Sequence, residues 1–444
     1  MNAAAIAMQL REVEPVLRYG FVRRVSPGRV EASGPIASIG DICDIETRDR
    51  AEEGRTILAE VVAVHEDRIV LVPLDQSAAI LPDARVTARA SKALAPVGDA
   101  FAGRAVDALG QPIDGGPTLL PDTFLPIFGQ PIAPLKRREP NTILETGIRA
   151  LDGLLTMGQG QRVGIFSASG VGKTTLIRQL ATQVQCDHCV VCLVGERGRE
   201  VQQMWQTLSQ SPDNARYTCV AATSDLSAPL RARAVYQALC IAEYWRDAGK
   251  HVVLVLDSAT RFAMALRDLG LAAGAPPTLR AYTPNVFSAL PRLTERCGAV
   301  AEGGAITAIM TVLSETDEVD DPIVEVMKSL LDGHVILSRP LAEQGHYPAI
   351  DAIRSISRQS EKLTSPAHAK AARRAIALTA TYDDARVLVD SGLYKHGVNA
   401  KLDEAIRERP ALLSFLAQRQ DEHASLAATL ERLAQVTSRI SSHG

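Results

Sequence analysis

The residues best suited to chemistry are Ser167-Ala168-Ser169-Gly170-Val171-Gly172-Lys173-Thr174. An apolar run, Val163-Gly164-Ile165-Phe166, precedes them, and Thr175 to Val184 follows with apolar residues at helical spacing. The context is strand, glycine-bearing turn, helix. Such a turn points successive backbone N–H groups inward, and the positive end of the helix dipole adds to that field. Lys173 would set a point charge at the β- and γ-phosphates of a nucleoside triphosphate, and the Thr174 hydroxyl would join the shell of a Mg²⁺ ion. Ser169, Gly170, Val171, Gly172 and Thr175 complete the expected cradle. The P-loop template asks for glycine five residues before Gly172, and Ser167 stands there instead. That departure is mild, because Gly170, Gly172 and the Lys-Thr pair still supply the close approach and the charge. An ordinary glycine turn is the bland alternative, and Gly-Lys-Thr in this setting argues against it.

Two more stretches could act on the same ligand. The apolar strand His251-Val-Val-Leu-Val-Leu256 ends in Asp257, a carboxylate placed to hold the water shell of Mg²⁺. Gly195-Glu196-Arg197-Gly198-Arg199-Glu200 follows another apolar strand, Val190 to Val194. Parallel sheets bind their ligands at the carboxyl ends of such strands. Glu196 could orient and polarise an attacking water, Arg197 could fix it or touch phosphate, and Glu200 could bind a Mg²⁺ water. A solvated loop of salt bridges is the competing reading of this segment. Cys186, Cys189 and Cys192, with His188 among them, resemble a metal cluster at first sight. Yet Cys189-Val-Val-Cys192-Leu-Val reads as a buried strand, where residues three apart point to opposite faces. Small core thiols are the expectation.

The elements that must position these residues follow from composition and order. A chain of 444 residues, 46% hydrophobic and 22% charged, is expected to form about three domains with ample core. Aromatics are only 4% of residues, so that core is aliphatic and alanine-rich. A net charge of −3 argues against a general polyanion binder. No apolar run reaches the ~18–20 residues of a membrane span, and the N-terminus lacks a signal-peptide pattern. Seven cysteines without such a signal read as reduced thiols in a cytoplasmic protein. Residues 1–90 read as a small β-barrel preceded by a short segment, from alternating runs such as Phe21–Val25, Arg29–Ala32, Thr56–Val64 and Arg68–Val72. An oligomerisation collar is favoured there over a nucleic-acid barrel, since only Tyr19 and Phe21 could stack bases. Residues 91–140, rich in Gly and Pro, read as a connection into the next unit. From 91 to 366 the expectation is an α/β P-loop core with strands at Arg162–Ser167, Cys189–Gly195, Thr218–Ala222, His251–Asp257, Ala305–Leu313 and Gly333–Leu337. Residues 367–444 read as helical, with Pro410 separating the last two helices.

Several longer runs resemble a known family. GERGREV (Gly195 to Val201), LVLDSATRFAMALRDLGLAAGAPP (Leu254 to Pro277) and HYPAIDAIRSISR (His346 to Arg358) resemble the hexameric ATPases related to the catalytic subunit of rotary ATP synthases. TGIRALDGLLTMGQGQRVGIF (Thr146 to Phe166) and GAPPTLRAYTPNVFSALPRLTERCG (Gly274 to Gly298) are similar to the type III secretion export ATPases, with a lean towards the injectisome branch over the flagellar one. The resemblance runs over essentially the whole chain. It implies a RecA-like P-loop ATPase core using ATP and Mg²⁺, an N-terminal β-barrel and a C-terminal helical domain. It assigns Lys173 and Thr174 to the P-loop pair, Glu196 to the catalytic carboxylate with Arg197 beside it, and Asp257 to Mg²⁺. Arg261 matches an arginine near the phosphates, Tyr347 an aromatic that stacks on adenine, and Arg358 an arginine finger for the neighbouring subunit. Because one chain carries both Glu196 and Arg358, the resemblance implies a homohexamer. It further implies a ring at the cytoplasmic face of a secretion apparatus, touching the inner membrane peripherally only. The partners it implies are a peripheral-stalk regulator at Met1 to Leu17, a central stalk in the pore, an export-gate platform, and chaperone–substrate complexes at the helical C-terminus. No nucleic acid is expected. Two rivals stand beside it, a non-catalytic nucleotide-binding ring subunit and an RNA-translocating hexamer like the terminator Rho. Glu196 argues against the first, and the sparse aromatics of the barrel argue against the second.

Overall fold

A computed structural model describes residues 18–47, 56–75, 79–89, 93–314 and 321–438. Met1 to Leu17, the expected peripheral-stalk segment, and the last expected helical residues up to Ile440 lie outside the described residues. The amino-terminal strands β1 (Tyr19–Ser26), β2 (Arg29–Ala32), β3 (Ile42–Glu46), β4 (Thr56–Val64), β5 (Ile69–Pro73) and β6 (Arg85–Ala88) close into a barrel in the order β1-β2-β5-β4-β3-β6. Alternation builds it: Val22, Val30, Cys43, Ile45, Ala59, Val61, Leu71 and Val86 point inward and are buried.

The stretch after the barrel is more than a connection. It contains β7 (Leu94–Val97), β8 (Arg104–Val106) and β9 (Thr123–Pro126), and β7 pairs with β9. β8 joins the edge of the core sheet, pairing in parallel with a later strand through Thr218↔Arg104. Its three residues are too short for a periodicity signal. The Arg104 guanidinium pins it by gripping Asp114 (2.7 and 2.8 Å), while that carboxylate also takes the Ala105 N–H (3.0 Å).

Two-residue strands β10 (Arg137–Arg138), β11 (Ile143–Leu144) and β12 (Met157–Gly158) lead into the core. Its main strands are β13 (Arg162–Ser167), β14 (His188–Val194), β15 (Tyr217–Ala222), β16 (His251–Asp257), β17 (Gly298–Val300), β18 (Ala305–Leu313), β19 (Gly333–Leu337) and β20 (Ile350–Ser357). The sheet runs β20-β19-β13-β18-β16-β14-β15-β8, parallel throughout except for antiparallel β20, with antiparallel β17 hanging on β18. Both faces are covered by helices, so the strands read as unbroken apolar runs. Val190, Cys192 and Val194 enter one core layer, and Cys189, Val191 and Leu193 the other. Cys189 and Cys192 therefore point to opposite faces, as expected of residues three apart.

Three helices, Pro366–Asp390, Ala400–Leu416 and Leu426–Ser438, close the chain against the layer that backs the P-loop strand. Pro410 does not separate the last two. The helix Ala400–Leu416 runs through it, and the break falls after Leu416. Leu402 and Ala405 before the proline, with Leu412, Phe415 and Leu416 after it, are buried and hold the helix in place despite the lost backbone bond.

Candidate functional site

Strand β13, buried on both faces, ends at Ser167, and the helix Lys173–Gln183 begins six residues later. Gly172 caps that helix at φ +91°, a left-handed conformation glycine adopts freely. A Cβ there would also come within 3.1 Å of the Tyr347 ring. The loop and the strand ends around it line a cleft of about 790 Å³. Ser169, Gly170, Gly172, Lys173, Thr174 and Thr175 form one wall, and Glu196, Arg197, Glu200 and Arg261 another. Val171 is buried behind the loop at 2% exposure.

The charged groups meet behind the loop. The Lys173 ammonium is bonded to Asp257 and lies 3.6 Å from Glu196. Arg261 Nε donates to Glu196 at 3.2 Å. Each comes from a different part of the chain: Glu196 lies two residues past β14, Asp257 ends β16, and Arg261 lies in the first turn of the helix Ala259–Ala272. Gly195, at φ +66°, makes room for Arg261, whose Cδ stands 2.6 Å from where a Cβ would project. The Thr311 hydroxyl of β18 donates to Asp257 Oδ1 at 2.7 Å and fixes the carboxylate. Burial pushes the Glu196 carboxyl above the ordinary range; Lys173 opposes this, Asp257 reinforces it, and Arg261 opposes it again. Thr174 on the wall and Asp257 behind Lys173 present a hydroxyl and a carboxylate, the hard oxygen donors that suit Mg²⁺.

Two expected residues lie outside this cleft. Tyr347 is 42% exposed and flanks Gly172. It lines an adjoining recess with residues 417–422 of the C-terminal region. The Gln418 N–H donates to the Tyr347 carbonyl (2.9 Å), and Gln418 Oε1 accepts from the N–H of buried Arg149 (2.9 Å), so the helical region holds the ring beside the loop. Arg358 sits elsewhere. Its N–H donates to the Asp332 carbonyl (3.0 Å), and the Asp332 carboxylate grips Arg162 at the start of β13 (2.9 and 3.0 Å). The loop leaves β13 at its other end, so about 16 Å of strand separates the two at ~3.3 Å per residue. Arg358 is exposed there.

The cleft also contains residues that sequence reasoning did not single out. Arg267, Arg280, Asp321 and Arg339 line it, and Arg280 bonds Asp321 at 2.8 Å. Arg280 stands at φ +52°, unusual for a side-chain-bearing residue. Thr260 accepts the Leu313 N–H at 2.8 Å and ties the end of β18 to the helix after β16. Arg280 falls inside one of the family-like runs; Asp321 and Arg339 carry no local signal.

Comparisons with known proteins agree with this fold. Residues 147–357 match the ATP synthase alpha/beta family, nucleotide-binding domain, and residues 364–435 match the T3SS EscN ATPase C-terminal domain. The chain is 43% identical over 422 residues to the flagellum-specific ATP synthase of Bacillus subtilis, covering 95% of each. It is also 43% identical over 420 residues to the type 3 secretion system ATPase of Xanthomonas euvesicatoria, covering 95% of this chain and 94% of that one. The assembled ATPase EscN of the enteropathogenic E. coli type III secretion system superposes with a TM-score of 0.88 at 38% identity, over 94% of this chain and 100% of EscN. EscN assembled with its central stalk EscO gives 0.85 at 37% identity, with the same coverage.

Proposed function

This chain belongs to the family of type III secretion and flagellar ATPases, and we propose that it hydrolyses ATP as a homohexameric ring at the cytoplasmic face of a type III export apparatus. The observation that carries the reading is the meeting of Lys173, Glu196, Asp257 and Arg261 behind one phosphate-binding loop. A triphosphate entering the cleft would exchange Lys173's carboxylate partners for phosphate oxygens, with backbone N–H groups of the loop completing the cradle. Mg²⁺ would be held by Thr174 and, through water, by Asp257 and Glu200, and it supplies charge neutralisation at the β- and γ-phosphates. Glu196 orients the attacking water and takes its proton. A carboxyl whose affinity for protons is raised towards the working pH suits that task. Arg261 keeps the carboxylate aimed, and Arg197 stands at the cleft wall within reach of phosphate. Tyr347 stacks on the adenine.

Arg358 completes the site of the next copy. Its position at the far end of β13 from the loop supports service in trans, since its own cleft lies out of reach. The three-part division at 1–90, 91–366 and 367–444 follows: a collar, a motor and a partner-facing helical domain. Val387 at the end of the helix Pro366–Asp390, with Leu393 and Val398 in the connection to Ala400–Leu416, are 80%, 73% and 76% exposed and support contact there with a central stalk or chaperone–substrate complexes. A peripheral stalk at Met1 to Leu17 and an export-gate platform complete the assembly, which energises release, unfolding or export of secreted proteins. The Met157-to-Arg162 and Ala265-to-Gly270 stretches favour the injectisome branch. Steady-state ATP hydrolysis per subunit across protein concentrations tests the proposal. Specific activity that climbs as rings form supports a shared site; hydrolysis that is constant in a particle sized as a monomer overturns it.

A further inference from the structure

A second cleft opens at the seam between barrel and core. Val62 of β4, beside inward-pointing Val61, faces Tyr236 on the helix Ala228–Asp247, Leu266 and Leu269 on Ala259–Ala272, and Leu293 on Pro284–Arg296. Its volume is about 460 Å³, within the range of about 300–1,000 Å³ that ligand pockets occupy. The walls are largely aliphatic and aromatic, and most of their charges cancel. Arg233 pairs with Glu60 (3.5 Å) and also donates to the Gly40 carbonyl (3.2 Å). Arg296 forks onto Glu243 (2.7 and 2.8 Å).

Arg292 differs. It lines the cleft, is exposed to solvent, and among the described residues has no carboxylate in ion-pair contact. The seam thus combines an apolar chamber with an uncompensated positive charge at its edge. Burying an aliphatic chain is favourable in proportion to its area, and a guanidinium offers a carboxylate two parallel N–H donors. We propose that this cleft binds an amphipathic carboxylate, its alkyl chain among Leu266, Leu269 and Leu293 and its head on Arg292. Because the walls come from both the barrel and the core, such a ligand fastens one to the other and stabilises the folded chain.

The test is titration calorimetry of the full-length protein, without nucleotide, with sodium octanoate, decanoate and dodecanoate below their micellar concentrations. Saturable binding should tighten by about fourfold per methylene. Arg292→Gln, a surface change, should weaken dodecanoate binding by about tenfold, and Leu269→Trp should abolish it by filling the chamber. Uncharged decanol should bind wild type and Arg292→Gln alike. No saturable binding, or dodecanoate binding unchanged in both variants, overturns the proposal.

Discussion

The two clefts are built from opposite materials. The nucleotide cleft gathers Lys173, Glu196, Asp257 and Arg261 into a dense ionic cluster at the carboxyl ends of parallel strands. The seam cleft neutralises Arg233 and Arg296 against Glu60 and Glu243 and leaves an apolar chamber. In the first, charge stands beside an open cleft. In the second, Arg292 apart, it is locked away in structural pairs. Removing a charge from the first should therefore be felt as lost turnover, and from the second as altered stability.

Arg358→Ala should give the largest effect, a fall in turnover of about 10³- to 10⁵-fold in the assembled ring, with nucleotide affinity of the isolated subunit nearly unchanged. A rate close to wild type would remove it as the finger. Glu196→Gln should lower turnover by about 10²- to 10⁴-fold while equilibrium binding of ATP persists; normal turnover would end the water-activating role. Tyr347→Ala should weaken nucleotide binding by roughly tenfold, as loss of a base-stacking surface does, and ATP analogues with an altered base should lose their ranking.

The smallest effect belongs to the seam. Burial, opposed by Arg233, pushes the Glu60 carboxyl up to about 7. The unfolded chain, with its glutamate near ~4.3, then holds fewer protons than the folded one between those values. Glu60 therefore contributes a stability that is lost as pH rises from about 4.5 to 7 and is flat above. Glu60→Gln should flatten that slope, narrowing the shift in melting midpoint between pH 5 and 7 by about 3 °C as read by scanning calorimetry. A variant slope equal to wild type would show that the pair does not titrate with folding.

Legibility in the sequence follows the same division. The P-loop, Glu196 and Asp257 could be read because each sits at the end of an apolar run, and the strands Arg162–Ser167 and His251–Asp257 emerge with the expected bounds. Pro410 misled because a local propensity was outweighed by buried leucines on both sides. Strand β8 was hidden by its length, and its pairing depends on Arg104 and Asp114, ten residues apart. Asp321 caps the helix Pro322–Leu330 and Arg339 opens the helix Arg339–Glu343, and only the folded chain brings them to the cleft. The seam had no signal, because its walls are ordinary residues from the barrel, the stretch after β9 and three helices. Tyr347 and Arg358 were legible only through the family resemblance; a tyrosine before proline or an arginine after a strand says little alone.

In the proposed ring each active site needs two copies, with the loop from one and Arg358 from the other. Mixing Lys173→Ala with Arg358→Ala separates a shared site from a self-contained one. Each variant alone should be inactive, and an equimolar mixture reassembled into rings should recover about a quarter of wild-type hydrolysis, since random neighbours complete that share of interfaces. A mixture no more active than its components, in particles shown to contain both, would contradict the shared site.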